Sequence, residues 1–184
     1  MDINVTPAEF QLVNYKAADI REVAQTVAEA IGLPHSMTID IEIDQTTPLG
    51  GLQRRELTSE KLSVVIESGA FEDRKAPRQL SGESTWRSLA KVFFRAADIL
   101  SAEFGYDGPA DDADLPVRLS IAWDTYSLGR FERLGFSVSK PSRIYAFRNQ
   151  FGFTDEADEK FNQLWSGVNL SWADLKQVTE IVEV

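Results

Sequence analysis

The chain has 184 residues, no cysteine and a formal charge of −10, with 43% hydrophobic and 26% charged residues. That length suits one domain with a full core, and the lack of cysteine excludes disulfides, thiolate nucleophiles and thiolate metal sites. The acidic balance argues against a nucleic-acid binder, whose affinity comes from neutralising phosphates, and no apolar run approaches the roughly 20 residues of a membrane span.

The negative charge is concentrated towards both ends, and the middle of the chain is close to neutral. A small anion is therefore tolerated in the middle, while acidic ends serve solubility in any protein. The opening MDINVTPAEFQ has no continuous apolar stretch, so no signal peptide and a cytoplasmic location are expected.

In chain order, FQLVNY (Phe10–Tyr15) reads as a first strand, and Asp19–Ile31 as a helix with Ile20, Val23, Ala24, Val27 and Ile31 on one face. Gly32 and Pro34 stop it. MTIDIEID predicts a strand with Met37, Ile39, Ile41 and Ile43 on one side and Thr38, Asp40, Glu42 and Asp44 on the other. After the TTPLGG turn, LQRREL is expected to return as the second arm of a hairpin, and LSVVIES (Leu62–Ser68) as a more buried strand.

GAFEDRKAPRQLSGES reads as a loop, followed by a largely buried helix capped by Ser84 or Thr85 and running to about Phe104. A second loop, GYDGPADDAD, leads to LPVRLSI as a strand and then to a helix over 124–134, which Gly135 ends in a left-handed conformation. FSVS and RIYAFRN suggest a hairpin. Thr154 opens a helix with acids in its first turn, and Ser171 with Asp174 makes a capping box for a last one. The alternation of strands and helices predicts a single α/β domain, a mixed sheet flanked by helices, over residues 1–184.

The stretch RLSIAWDTYSLGRFERLGF, with its Leu-Gly-Phe ending, and the sextet Gln79-Leu80-Ser81-Gly82-Glu83-Ser84 before a long helix carry a resemblance. Together with the element order, they resemble the GCN5-related N-acetyltransferase (GNAT) family over about residues 10–150, with 151–184 as a helical extension. The resemblance implies an acyl-coenzyme A-dependent N-acyltransferase acting on a small-molecule or peptide amine. It implies that the backbone from Gln79 to Ser84 holds the pyrophosphate of acetyl-coenzyme A, with Arg74, Lys75 and Arg78 adding charge. A helix N-terminus with a glycine suits an anion physically.

The chain departs from the family pattern at Glu83, a carboxylate inside the phosphate loop, and at Phe131, where the family's tyrosine protonates the leaving thiolate. Tyr126 is the nearest hydroxyl but faces differently on the helix. Transfer that is weakened or lost fits these departures. Phe131 itself reads first as plain core beside Leu134. Glu67, on the buried strand, is the candidate general base, since burial raises a carboxyl pKa towards a useful value. The alternative is a carboxylate that is solvated or paired with arginine.

Other constellations carry less. Asp40, Glu42 and Asp44 line either a pocket for a cation or the wet side of a half-buried sheet. His35 is expected at the surface, and Asp107, Asp111, Asp112 and Asp114 lack EF-hand spacing, so no metal is expected. Arg143, Tyr145, Phe147 and Arg148 read as a strand with its aromatics on the core side. The second hypothesis is a non-catalytic acidic α/β protein that binds another protein, with a homodimer compatible. Its C-terminal apolar residues (Phe161, Leu164, Trp165, Val168, Trp172, Leu175 and Val178) then meet a partner or cover their own chain.

Overall fold

The computed structural model describes residues 1–73 and 75–180, and it is a mixed α/β structure with a central mixed sheet flanked by helices. Its chain divides into two compact units, Met1–Leu100 and Ser101–Val184.

The first unit is built on four strands: β1 (Asp2–Thr6), β2 (Thr38–Asp44), β3 (Leu52–Leu57) and β4 (Lys61–Glu67). Their order is β1-β2-β4-β3. β1, β2 and β4 run parallel, and β3 closes the edge antiparallel to β4. Helix α1 (Ala17–Ile31) makes the crossover from β1 to β2. It ends at Gly32, whose φ of 83° belongs to the left-handed region that favours glycine.

Alternation along the strands decides which side is core. Ile3 and Val5 of β1, Ile39, Ile41 and Ile43 of β2, and Leu62, Val64 and Ile66 of β4 are all buried. They form one face with the apolar stripe of α1, in which Ile20, Ala24, Val27 and Ala28 are fully buried. The in-register residues on the other face are polar except for half-buried Val65. Asn4, Thr6 and Glu42 are exposed, and Thr38, Asp40, Lys61 and Ser63 are half-buried.

The chain continues through a 3₁₀ turn (Ser68–Ala70) into a small antiparallel hairpin, β5 (Glu72–Asp73) with β6 (Ala76–Leu80), and then α2 (Gly82–Leu100). Ser81 caps α2: its Oγ accepts the Ser84 N–H at 3.2 Å and its carbonyl the Thr85 N–H at 2.9 Å.

Several expectations are corrected here. Phe10–Tyr15 is not a strand but a loop with two isolated bridges, Glu9 with Lys16 and Asn14 with Gln79, because Asp2–Thr6 already pairs with β2. LQRREL is a hairpin arm, but its partner is β4 rather than MTIDIEID. The 69–84 loop contains β5 and β6. The cap of α2 is Ser81, not Ser84 or Thr85, and the helix stops at Leu100 rather than near Phe104.

The second unit is helical: α3 (Val117–Arg133), α4 (Lys140–Phe151), α5 (Asp155–Ser166) and α6 (Trp172–Thr179). LPVRLSI is the first turns of α3, not a strand, since Leu119, Ala122, Trp123 and Tyr126 continue one buried stripe. The FSVS–RIYAFRN hairpin is replaced by α4, which Pro141 opens in its first turn. Phe147 and Phe151, one turn apart, stack at 4.0 Å. Gly135 is left-handed as expected, with φ 92°. Thr154 caps α5, and Ser171 and Asp174 form a reciprocal capping box.

Two contacts fix the packing of α3 on α5. A methyl group on Gly129 would sit 2.1 Å from the Trp165 carbonyl oxygen, so the two backbones meet where α3 has no side chain. Arg133 then donates to the carbonyls of Trp165 (2.5 Å) and Gly167 (2.6 Å), satisfying the end of α5. Beside them Phe104, Tyr106, Trp123 and Trp172 form an aromatic cluster with centroids 4.7–6.0 Å apart.

Gly129→Ala is therefore expected to destabilise the second unit by about 1–3 kcal/mol through overpacking, read as a lower urea midpoint of its near-ultraviolet circular dichroism. A pH dependence follows from Arg148 and Asp158. The guanidinium's hydrogen bonds hold the Asp158 carboxyl below its ordinary range, against the opposing effect of desolvation. Stability from this pair is fully present above the ordinary carboxyl pKa and is lost as pH falls through the lowered folded value. Asp158→Asn should thus lower the urea midpoint at neutral pH and lose its effect in strong acid.

Candidate functional site

The sextet at 79–84 is built by local pairing. Arg78 stands at φ 63°; its N–H is taken by the Glu72 carboxylate and its carbonyl by the Asn14 N–H at 2.8 Å. The Asn14 amide donates to Gln79 Oε1 at 2.8 Å. Leu80 pairs with Glu72 in the hairpin. The Ser81 N–H reaches the Phe71 carbonyl at 2.8 Å.

A pyrophosphate at a helix start needs several convergent amides. Those of Ser81, Ser84 and Thr85 already have partners. The Glu83 carboxylate lies 3.6 Å from Arg87 on the first turn. A side chain on Gly82 would meet only Trp86, at 4.0 Å, so no close backbone approach is built there. Lys75 and Arg78 are exposed; Arg74 lies outside the described residues. As arranged, these residues fit a hairpin and an N-cap better than a cradle for acetyl-coenzyme A.

Glu67 has a structural partner. Its carboxylate accepts the Gly51 N–H at 2.5 Å, while the Glu67 N–H reaches the Gly51 carbonyl at 3.0 Å. A Cβ on Gly51 would lie 2.6 Å from that carboxylate, and one on Gly69 2.2 Å from the Pro48 carbonyl oxygen. Gly69 is therefore required by close approach of backbone, whereas at Gly51 the contact is the movable end of the Glu67 side chain. Ser68 adds a bond from its hydroxyl to the Thr47 carbonyl (3.1 Å), and the Tyr15 hydroxyl donates to the Ser68 carbonyl (2.8 Å). Burial, with Glu72 adding to it, pushes the Tyr15 phenol up to about 12, so it stays a donor. The carboxyl ends of β2 and β4 are tied into one knot, which Gln45 extends by accepting the N–H groups of Gln11 and Leu12.

Tyr126 is 2% exposed. Its hydroxyl accepts the Leu170 N–H at 3.1 Å, and the Arg130 guanidinium lies 4.0 Å from its ring centroid. Glu67 and Tyr126 belong to different compact units. The strand expected at LPVRLSI lies largely in helix α3. Phe131 is core, stacked at 4.2 Å on Phe136 rather than on Leu134, which is 46% exposed.

Elsewhere, His35 is exposed. Asp107 pairs with Lys176 at 2.9 Å and Asp111 caps a 3₁₀ turn. Among the described residues no three His, Cys, Asp or Glu side chains converge as metal ligands. Arg143, Tyr145, Phe147 and Arg148 lie on a helix, with Phe147 buried and Tyr145 exposed, correcting the strand reading. The C-terminal apolar residues are buried except Val168.

Asp40 and Glu42 stand on the polar face of the sheet, where Asn4 donates to Asp40 at 3.0 Å and Lys61 lies 3.7 Å from Asp40 and 2.9 Å from Glu56. Asp44 instead closes a turn by accepting from Thr46 and Thr47, which lowers its pKa. Asn4 and Lys61 were missed in the sequence; the alternation Ile3-Asn4-Val5-Thr6 was the signal for the first. Compared with protein-family models, curated proteins and solved structures, the chain matches none.

Glu67→Ala is expected to cost about 0.5–1.5 kcal/mol of stability, the net worth of its bond to the exposed Gly51 N–H, which water then takes over, measured by urea unfolding of the full chain.

Proposed function

We propose that this is a non-catalytic α/β protein that acts by binding another protein, through the polar face of its sheet. The single observation behind it is that face itself. Parallel ladders normally have both faces covered. Here β1, β2 and β4 bury one face and leave the other with exposed Asn4, Thr6 and Glu42. Asp2, Asp40, Glu42 and Glu56 place carboxylates on it, with Lys61 set among them. Charge complementarity makes the partner's matching surface cationic.

The acyltransferase reading draws less support. Glu67 and Tyr126 already hold structural hydrogen bonds, and the amides of Ser81, Ser84 and Thr85 are paired.

Two experiments test the proposal. Thermal unfolding with millimolar acetyl-coenzyme A is expected to show no shift. A saturable rise, lost in Gly82→Trp, would return the acyltransferase to first place, since a ligand at 100 times its Kd adds about 2.7 kcal/mol. Amine-reactive crosslinking in extract of the producing cell should then trap a protein through Lys61. That product should disappear in Asp40→Asn/Glu42→Arg with the circular dichroism unchanged. A product that survives those substitutions would reject the sheet face as the docking surface.

A further inference from the structure

The second unit holds a polar cavity of about 180 Å³ where the start of α3, the end of α4, the start of α5 and the end of α6 converge. It is independent of the sheet face and goes beyond the binding role argued from it. The volume is below the ~300–1,000 Å³ of drug-sized pockets, so any occupant is small.

The charges around the cavity are two of each sign: Arg118 and Lys160, Glu156 and Glu180. Lys160 and Glu156 neutralise each other at 2.9 Å, one turn apart on α5. Arg118 and Glu180 remain. Among the described residues neither has an ion-pair partner within 4.0 Å, and they do not pair with one another. The Arg118 guanidinium lies over the Phe151 ring, 5.5 Å from its centroid. Such stacking holds the plane of the fork and leaves its N–H edge for a carboxylate.

Two hydroxyls complete the lining, and their remaining capacity differs. Thr154 Oγ1 accepts the Ala157 N–H at 3.2 Å and keeps its own proton to donate. Thr179 Oγ1 donates to the Lys176 carbonyl at 2.8 Å and keeps lone pairs to accept. The cavity thus offers a cation with a spare donor, and a carboxylate with a spare acceptor. We propose that it binds a small zwitterion of the α-amino acid class, the ligand carboxylate on Arg118 and Thr154 and its ammonium on Glu180 and Thr179.

The test is titration of the ¹⁵N-labelled full chain with glycine and L-serine, using acetate and methylammonium as probes that carry one charge each. Saturable amide shifts confined to the residues around 118, 151–160 and 179–180 are expected with the amino acids, and none with the single-charge probes at equal concentration. Arg118→Gln and Glu180→Gln should each weaken binding about tenfold or more, the scale of one charge-assisted hydrogen bond. Arg118→Lys, which keeps the charge and loses the fork, should also weaken it. Three results would overturn the proposal: no saturable shift with either amino acid, equal shifts with acetate alone, or affinity unchanged in Glu180→Gln.

Discussion

The pleat of the parallel ladder β1-β2-β4 is the constraint on which the first unit depends. Register pairs Ile3 with Ile39 and Ile41 with Val64, so every second residue of three strands meets on one side. A slip of one residue would move all of them to water. Once that side is apolar, α1 must lie over it with its own stripe, and Gly32 must turn the chain back in time for β2. The same alternation sends Asn4, Asp40, Glu42 and Lys61 to the opposite side, where Asn4 and Glu42 are exposed and Asp40 and Lys61 are half-buried.

The knot at the carboxyl ends of β2 and β4 shows why an isolated carboxylate is an unsafe guide to chemistry. In the parallel part of a sheet these ends are the usual place for a ligand. Here they are closed by the chain's own groups: Glu67 on Gly51, Ser68 on Thr47, Tyr15 on Ser68 and Gln45 on the 11–12 amides. A buried polar group with its bonds made is a structural member. In the helical unit Tyr126 plays the corresponding part by holding the Leu170 amide. The cavity beside Arg118 differs because, among the described residues, Arg118 and Glu180 have no ion-pair partner there.

Legibility followed the strength of the local signal. The MTIDIEID alternation, the α1 stripe and the Thr154 and Ser171 caps were readable because each is a short-range pattern with one physical solution. LPVRLSI and RIYAFRN read as strands but form helix, because short runs of aliphatic or aromatic residues satisfy both patterns alike. What separates them lies at a distance. Leu119 joins the stripe of Trp123 and Tyr126, and Phe147 meets both Phe151 and Phe161. The GNAT resemblance drew on an element order with a strand at LPVRLSI, a segment that lies largely in α3. Candidate site residues fared worse than elements, since a spacing cannot say which amide a carboxylate will find.

The sequence by itself determined the α/β class, the stripe of α1, the alternation of β2 and the caps at Thr154 and Ser171, because these arise from interactions between residues a few positions apart. Only the tertiary structure decided that β3 pairs with β4, that Gly129 admits the Trp165 carbonyl, that Glu67 is spent on Gly51, and that Arg118 and Glu180 share a cavity. Each of those depends on which distant groups are brought together, and packing alone fixes that choice.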